Sequence, residues 1–337
     1  MIREDVRSIN ISLKKDGLTF DDKEVLVTGG AGFLGSWICS VLIKQGAKVT
    51  CLDNLASGLA SNIKPLKDRD NFTFVQHDIS KPITFDKSFD LVMHLASRAS
   101  PFEFERYPIQ ILKANTLGIW VGLGIAKKYK ARFFYTSTSE IYGDPDSQFV
   151  PTSESYNGNV NPIGPRSCYD EAKRAGEAYV KAYELQHKMD TRIVRIFNTY
   201  GPLMRADDIY GRVVPRFIEQ ALKGEPITVF GDGEQTRSFT YVSDQVEGIL
   251  RLASMERAKG EVVNIGNNNE TSIIELARIV KKLTGSKSEI TFPPLPKDDP
   301  KRRCPDIRKA EKLLDWRPRV SLEEGLRKTI AWFEAGK

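Results

Sequence analysis

A tyrosine and a lysine four residues apart, Tyr169 and Lys173, form a pair suited to proton transfer. On a helix this spacing places the two side chains on one face. A tyrosine with its ordinary pKa of ~10 is a poor base at neutral pH. A neighbouring ammonium and a positively charged ligand would shift this pKa toward 7, which requires about 4 kcal/mol of stabilisation of the phenolate. The same spacing is common on helix surfaces, so the surrounding sequence must decide the role of the pair.

A second group of polar residues, Thr138, Ser139 and Glu140, follows an apolar run at 132–137 that we expect to be a strand. In open α/β sheets, ligands bind at the carboxyl ends of the strands, so two hydroxyls and a carboxylate would lie where a substrate binds. The alternative is that Thr138 and Ser139 cap a turn and that Glu140 is solvated.

A glycine-rich segment, TGGAGFLG at 28–35, connects a buried apolar run at 25–28 to a helix that we expect at 36–45. Glycine permits a tight turn and lets backbone N–H groups approach a pyrophosphate at the N-terminus of a helix. Glycine-rich turns often serve packing alone, but here both the preceding strand and the following helix are present, as the phosphate-binding motif requires.

Asp53 lies at the end of the next apolar run, 18 residues beyond Gly35. There its carboxylate can accept hydrogen bonds from the adenosine ribose, and it would repel a 2′-phosphate, so we predict NAD rather than NADP. Alternatively, Asp53 is a helix cap or a loop charge. Asp78 and Ile79 follow the third strand and would contact the adenine, although Asp78 is equally suited to capping a turn. The predicted cofactor-binding residues are Gly29, Gly32, Phe33, Leu34, Gly35, Asp53, Asn54, Ser57, Gly58, Asp78, Ile79, Leu95, Ser97, Tyr169 and Lys173.

Strands and helices are expected to alternate from residue 23 to about 198, and the strands are almost continuously apolar. This pattern predicts an α/β fold, a Rossmann-type doubly wound parallel sheet with a smaller C-terminal substrate-binding lobe. One long helix is expected at 107–130 and another at 167–187. We assign residues 1–22 to an N-terminal extension and 23–198 to the cofactor-binding domain, to which segments near 237–270 return. Residues 199–236 and 271–337 would form the lobe.

Composition narrows the class of protein. Lys and Arg total 50 and Asp and Glu total 44, a modest surplus of +6 that is spread along the chain and favours a small anionic ligand over nucleic acid. Neither the four cysteines nor the three histidines have the spacing of a metal site, so we predict no metal. No continuous apolar run approaches the ~18 residues of a membrane span. The first residues lack an apolar signal core, so we expect a cytoplasmic protein with no membrane partner.

Several strings resemble the extended short-chain dehydrogenase/reductases that act on nucleotide sugars. They are TGGAGFLG at 28–35, STSEIYG at 137–143 and the Tyr169-x-x-x-Lys173 pair. Longer strings are most similar to the branch of this family that decarboxylates UDP-glucuronate: VNPIGPRSCYD at 160–170, RIFNTYGP at 195–202, QTRSF at 235–239 and DDPKRRCPDI at 298–307. The resemblance covers residues 23–335 and implies oxidation at C4 of the sugar, loss of CO2 and re-reduction by a retained NAD.

The resemblance also implies roles for individual residues. Thr138, Tyr169 and Lys173 would be the hydroxyl–tyrosine–lysine set, and Ser139 and Glu140 would serve decarboxylation. The substrate-binding residues would be Arg166, near the sugar carboxylate or the diphosphate, with Asn198, Arg237 and Arg303 on the UDP. Two departures are noted: Arg98 stands where some members have proline, and the loop at 207–212 is two residues longer than expected.

Three alternatives remain open at this point. A UDP-hexose 4-epimerase shares the tyrosine, the lysine and the cofactor, but its hydroxyl-bearing strand usually lacks a counterpart of Glu140. A dehydratase is less similar, because it prefers Thr-Asp-Glu where Thr138, Ser139 and Glu140 stand. A non-catalytic NAD sensor on the same fold would be expected to have lost Tyr169, Lys173 or Thr138. By resemblance we expect a homodimer, formed through the helices near 107–130 and 167–187.

Overall fold

The computed structural model describes residues 1–206, 212–295 and 299–336. Residues 207–211 of the lengthened loop, and Asp298 of the DDPKRRCPDI string, lie outside the described residues. The predicted α/β class is confirmed: seven parallel strands form a central sheet with helices packed on it.

The central sheet forms because short runs of apolar residues pair side by side and are covered on both faces. Its strands are β1 (Glu24–Thr28), β2 (Lys48–Asp53), β3 (Phe72–Gln76), β4 (Leu91–His94), β5 (Arg132–Thr138), β6 (Thr191–Ile196) and β11 (Val262–Ile265). Their spatial order is β3-β2-β1-β4-β5-β6-β11, so the first six have the Rossmann order and β11 returns to extend the edge beside β6. The remaining strands are β7 (Thr199–Tyr200), β8 (Ile227–Thr228), β9 (Thr236–Ser238), β10 (Thr240–Tyr241), β12 (Glu270–Ser272), β13 (Ile290–Thr291) and β14 (Arg302–Arg303).

Alternate side chains of each central strand face opposite layers of helices. Val25 and Val27 of β1 pack in one core with the helices at 2–15, 33–44 and 242–254, whereas Leu26 packs in the other with those at 117–129 and 167–187. The helices are α1 (Ile2–Lys15), α2 (Phe33–Lys44), α3 (Ala60–Ile63), α4 (Pro101–Arg106), α5 (Pro108–Asn115), α6 (Leu117–Tyr129), α7 (Ser167–His187), α8 (Val213–Lys223), α9 (Val242–Ser254), α10 (Ile273–Thr284), α11 (Arg308–Leu314) and α12 (Leu322–Glu334).

The N-terminal extension contains helix α1, whose apolar side chains Val6, Ile9 and Leu13 are buried in the first of these cores. The spacing of these three residues follows the helical period, so one face of α1 is apolar although the segment as a whole is polar. Asp5 adds polar ties to the body of the protein, because it accepts a hydrogen bond from the Tyr241 hydroxyl at 2.8 Å. The extension is thus part of the folded body.

The single long helix predicted at 107–130 is wrong: two helices, α5 and α6, meet at Thr116, which departs from helical geometry with φ −121°. By length and mean hydropathy, the stretch Pro108–Tyr129 that they form would suffice to cross a membrane. Its apolar character has another source, because Ile111 of α5 and Ile119 and Leu123 of α6 are buried within the protein. Core helices pass the same test of length and composition.

Beyond β6, α9 and β11 return to the central sheet, and the other segments form a smaller lobe that reaches the carboxyl end of β5 through the contact of Arg303 with Glu140. Its three-stranded sheet has the order β12-β9-β14, in which β14 pairs in parallel with β9 and brings Arg303 next to Arg237. Two arginines that are 66 residues apart in the chain therefore lie side by side. The lobe supplies cations, and the sheet domain supplies the hydroxyl, tyrosine and lysine.

Candidate active site

The turn between β1 and α2 has the close backbone packing that the glycine motif predicts. Gly29 has φ +73°, and a Cβ atom there would lie 2.7 Å from the backbone of Ala96. A Cβ atom on Gly35 would lie 2.2 Å from the carbonyl oxygen of Gly29. Gly32 is the N-cap of α2, and Phe33 and Leu34 form its first turn. The helix N-terminus is therefore left open to an anion at the edge of the sheet.

Asp53 ends β2 directly beside this turn. Its carboxylate accepts backbone N–H bonds from Ala31 at 3.0 Å and Leu55 at 2.8 Å. Burial raises the pKa of Asp53, while these two N–H groups oppose the rise. A carboxylate has about four lone-pair sites, so acceptors remain for a ribose diol. Asp53 can therefore accept these two backbone hydrogen bonds and bind the hydroxyls of a ribose at the same time.

The other predicted cofactor residues lie along the same edge, but they differ in what their side chains do. Asp78 accepts hydrogen bonds from the backbone and hydroxyl of Ser80, as a turn cap, and Ile79 is buried in the core. The Ser97 hydroxyl accepts from Asn115 Nδ2 at 2.9 Å. The remaining positions are Leu95, which donates its N–H to the Thr28 carbonyl, and Asn54, Ser57 and Gly58, which lie in the loop after β2.

Tyr169 lies in the first turn of α7, which covers β5 and brings its side chain to the end of that strand. The side chain is buried, and it shares a hydrogen bond with the hydroxyl of Thr138. Burial and the charge of Glu140 raise the pKa of Tyr169, and the bond from Thr138 only partly opposes them. The protein's own groups therefore favour the phenol, and the predicted lowering, which includes the positive charge of a bound ligand, stays a prediction.

Lys173 lies one turn further along α7 and is also buried. Its Nζ donates to the Thr136 carbonyl at 2.8 Å and lies 5.8 Å from the centre of the Tyr169 ring. Burial lowers the pKa of Lys173 to about 7. The prediction that Tyr169 and Lys173 lie on one face of a helix is thus confirmed, since both side chains reach the end of β5.

Glu140 lies in the short 3₁₀ helix Ser139–Tyr142 that follows β5, between two guanidinium groups. Its Oε2 accepts from Arg166 and its Oε1 from Arg303. Burial opposes ionisation of this carboxyl, but the two guanidiniums outweigh it and hold its pKa well below the usual range. Glu140 is therefore an ionised carboxylate fixed at both oxygens. Ser139, beside it, is buried, whereas the Glu140 side chain is 16% exposed.

The arginines assigned to the substrate have protein partners of their own. Arg303 and Arg166 both bind Glu140, and Arg237 forms an ion pair of 2.8 Å with Asp299. Asn198 follows β6, and its buried Oδ1 has no hydrogen-bond partner among the described residues. The structure thus gathers Arg166, Arg237 and Arg303 around Glu140, whereas Asn198 has no contact with this cluster among those of the described residues. Arg303 contacts the carboxylate of the decarboxylation group, which the sequence had not suggested.

Phe104 of α4 contributes to the site without any sequence signal. Its ring stacks on that of Tyr169, with 4.9 Å between centroids and 16° between planes, and the Arg166 guanidinium lies 5.7 Å from its centre. Helix α4 itself was not predicted. Arg98, the noted departure, forms an ion pair with Glu103 of the same helix and lies 4.2 Å over the Tyr107 ring. It therefore joins the loop after β4 to α4 and α5.

Comparison with known proteins agrees with this geometry. Residues 25–266 match the model of the NAD dependent epimerase/dehydratase family. The UDP-glucuronic acid decarboxylase 1 of Xenopus tropicalis is 49% identical over 313 residues, which cover 93% of this chain and 72% of the relative. The UDP-glucuronic acid decarboxylase 2 of Arabidopsis thaliana is 46% identical over 318 residues, 94% of this chain and 68% of the relative.

A solved structure with the same fold is the UDP-glucuronic acid 4-epimerase of Bacillus cereus, in complex with UDP-glucuronic acid and NAD. It superposes with a TM-score of 0.82 at 30% identity, covering 93% of this chain and 99% of that one. The family model matches most of the chain. The chain belongs to the NAD dependent epimerase/dehydratase family.

Proposed function

We propose that this protein decarboxylates UDP-glucuronate to UDP-xylose by oxidation at C4 of the sugar, loss of CO2 and re-reduction. The observation that carries the proposal is Glu140, a partly buried carboxylate held between Arg166 and Arg303 beside Thr138. Oxidation and re-reduction alone require a tyrosine, a lysine and a hydroxyl. The additional clamp of charges fits a substrate that carries a carboxylate and loses it. The decarboxylases to which the chain is similar support the same conclusion.

The turn at 29–35 fits a dinucleotide, because side chains on Gly29 or Gly35 would overlap the backbone that surrounds the turn. The residues that would hold NAD are those of the turn together with Asp53, whose negative charge disfavours a 2′-phosphate. When bound, NAD⁺ supplies a hydride acceptor and one further positive charge.

Tyr169 would accept the proton of the sugar C4 hydroxyl as a phenolate, a form that the positive charge of bound NAD⁺ would favour, with Thr138 hydrogen-bonded to the phenol oxygen. Oxidation at C4 makes the sugar a β-keto acid, which loses CO2 because the bonding electrons pass into an enolate. The phenol of Tyr169 and the hydroxyl of Thr138 can donate hydrogen bonds to that oxyanion. A proton then adds to C5, so the decarboxylation consumes one proton and releases one CO2.

The test is to incubate the protein and NAD⁺ with UDP-glucuronate and to follow released CO2 and the sugar nucleotide by mass spectrometry. The expected product is a UDP-pentose with stoichiometric CO2. A UDP-uronic acid of unchanged mass but inverted at C4, seen by NMR, would instead establish the epimerase alternative. A chain that binds NAD and UDP-glucuronate without changing either would establish the sensor alternative.

We also propose that two copies associate through α5, α6 and α7. Large apolar side chains are exposed on these helices, with Ile109 62%, Trp120 53% and Leu185 68% exposed. Exposed apolar residues grouped on adjacent helices are typical of an interface between subunits. Light scattering after chromatography is expected to give the mass of two chains for the protein and of one chain for Trp120→Glu. A single-chain mass for the unchanged protein contradicts this proposal.

The proposed place of action is the cytoplasm. All four cysteines are free thiols buried in the fold, which suits a reducing compartment. Fractionation of cells that express the full-length protein, with markers for membrane and lumenal compartments, tests this proposal directly. Recovery in a membrane or lumenal fraction contradicts it.

A further inference from the structure

A second buried carboxyl, Asp170, lies beside Tyr169 and has no part in the reaction as described above. Asp170 is 5% exposed, and its Oδ1 has no hydrogen-bond partner among the described residues. Its Oδ2 lies 3.8 Å from the Arg166 Nε, which is the distance of an ion pair rather than of a hydrogen bond. A buried carboxylate with one unsatisfied oxygen is costly, and protonation removes that cost.

The charges around Asp170 come from its own helix, from the 3₁₀ helix after β5 and from β14. Burial and the charges of Glu140 and Glu171 favour the protonated form, whereas Arg166 and Arg303 favour the ionised form. On the side of α4, the neutral ring of Phe104 covers Arg166. The balance raises the pKa of Asp170 to about 7. The two carboxyls thus differ because Glu140 accepts hydrogen bonds from both guanidiniums and Asp170 from neither.

The charge of this cluster changes when substrate enters. With Asp170 ionised, the charges of the two carboxylates, Glu140 and Asp170, balance those of the two guanidiniums. A substrate carboxylate then adds one uncompensated negative charge to the site. We propose that Asp170 takes up a proton when a nucleotide sugar bearing a carboxylate binds against Arg166 and Arg303. This inference rests on the proposed function and goes beyond it, because it assigns a charge-balancing role to a residue that need not touch the reacting atoms.

Proton uptake by Asp170 would be coupled first to substrate binding and then to the loss of CO2. Decarboxylation consumes a proton, and the product no longer carries the charge that favours protonated Asp170. Proton uptake at binding is therefore reversed when the carboxylate is lost, inside the site where C5 must be protonated. Binding of the substrate, but not of the product, is expected to depend on pH through Asp170.

The experiment is isothermal titration calorimetry of the protein saturated with NAD⁺, with Tyr169→Phe present throughout to prevent turnover. UDP-glucuronate and UDP-xylose are titrated at pH 7.5 in buffers that differ in ionisation enthalpy. The two ligands share the UDP and differ in the carboxylate. Because the pKa of Asp170 is about 7, binding of UDP-glucuronate should take up about three-quarters of a proton more than UDP-xylose.

The matched control is Asp170→Asn in the same background. Lys173 also has a pKa of about 7 and is unchanged in this variant, so any uptake by the lysine persists while that of Asp170 is lost. In this variant the difference in proton uptake between UDP-glucuronate and UDP-xylose should fall close to zero. In a second measurement, the Kd for UDP-glucuronate should rise up to tenfold per pH unit above pH 7 with Asp170 in place. In the Asp170→Asn protein this difference in pH dependence between the two ligands should disappear, because the amide does not titrate.

The outcomes separate this inference from the proposed function. UDP-glucuronate that binds with no more proton uptake than UDP-xylose, or with an uptake that survives Asp170→Asn, overturns the role of Asp170 alone. Failure of UDP-glucuronate to bind while UDP-xylose binds overturns both. If Asp170→Asn does not fold, Asp170→Ser replaces it as the control. In that case the pH dependence of Kd for the two ligands, measured on the protein that retains Asp170, also tests the role of Asp170.

Discussion

Replacing Glu140 by Gln tests the clamp between α7, the 3₁₀ helix and β14. The amide keeps one oxygen that can accept a hydrogen bond, but its NH2 group cannot accept from the second guanidinium. One of Arg166 and Arg303 is therefore left without its acceptor in a buried site, since the Glu140 side chain is 16% exposed. Removing one partner of a buried ion pair costs about 3–5 kcal/mol, and the retained acceptor should limit the loss to about 2–3 kcal/mol.

Urea denaturation of the protein with NAD⁺ measures this loss. The matched control is Asp190→Asn, because Asp190 also pairs with two guanidiniums, those of Arg132 and Arg192, but at the amino ends of β5 and β6, away from the site. Both variants should lose comparable stability, but only Glu140→Gln should stall the reaction. In a single turnover with UDP-glucuronate, Glu140→Gln should still reduce NAD⁺ while UDP-pentose formation falls sharply.

The pH dependence follows from the depressed pKa of Glu140. The folded-state pKa lies below the unfolded value of about 4.5, so the stabilisation is fully present above pH 4.5 and is lost as the pH falls below it. The stability difference between the protein and Glu140→Gln should therefore shrink below pH 4.5. Two results would refute the reasoning: unchanged stability of Glu140→Gln at pH 7, or NAD⁺ reduction blocked as completely as in Tyr169→Phe.

The remaining predictions concern the base, its support and the cofactor turn. Tyr169→Phe should lower turnover about 10²–10⁴-fold in steady-state assays, while calorimetry should show that ligand binding is kept. Near-normal turnover of this variant would mean that Tyr169 is not the catalytic base. Phe104→Leu should lower kcat with little change in KM because the ring stacked on Tyr169 is lost, whereas Phe102→Leu on the same helix should not; equal effects would mean general damage to α4. Asp53→Ala should narrow the preference for NAD over NADP in fluorescence titrations, and equal binding of both by the unchanged protein contradicts the assignment.

Local patterns in the sequence were sufficient for the first six strands of the central sheet and for the glycine turn, whereas β11 was not predicted as a strand. Apolar runs of strand length predicted β2 and β3 with their observed ends. In β2 the composition is constrained because every residue from Val49 to Asp53 is buried, whereas in the edge strand β3 only Phe72 is buried. The glycine turn was predictable because its backbone approaches are too close for any side chain. Tyr169 and Lys173 share a face because four residues make about one helical turn. These features depend on residues that are close together in the chain, so the sequence alone predicts them.

Contacts between distant segments were decided only by the tertiary structure. Glu140 and Arg303 are 163 residues apart, and nothing in either segment shows that β14 folds beside β9 and reaches the 3₁₀ helix. The stacking of Phe104 on Tyr169 and the break of the 107–130 helix at Thr116 likewise depend on packing between elements. The raised pKa of Tyr169 in the protein without ligand has the same origin, since burial and the charge of Glu140 arise only in the folded chain. Local propensity determines which elements form, whereas burial and charge at the site arise from how those elements meet.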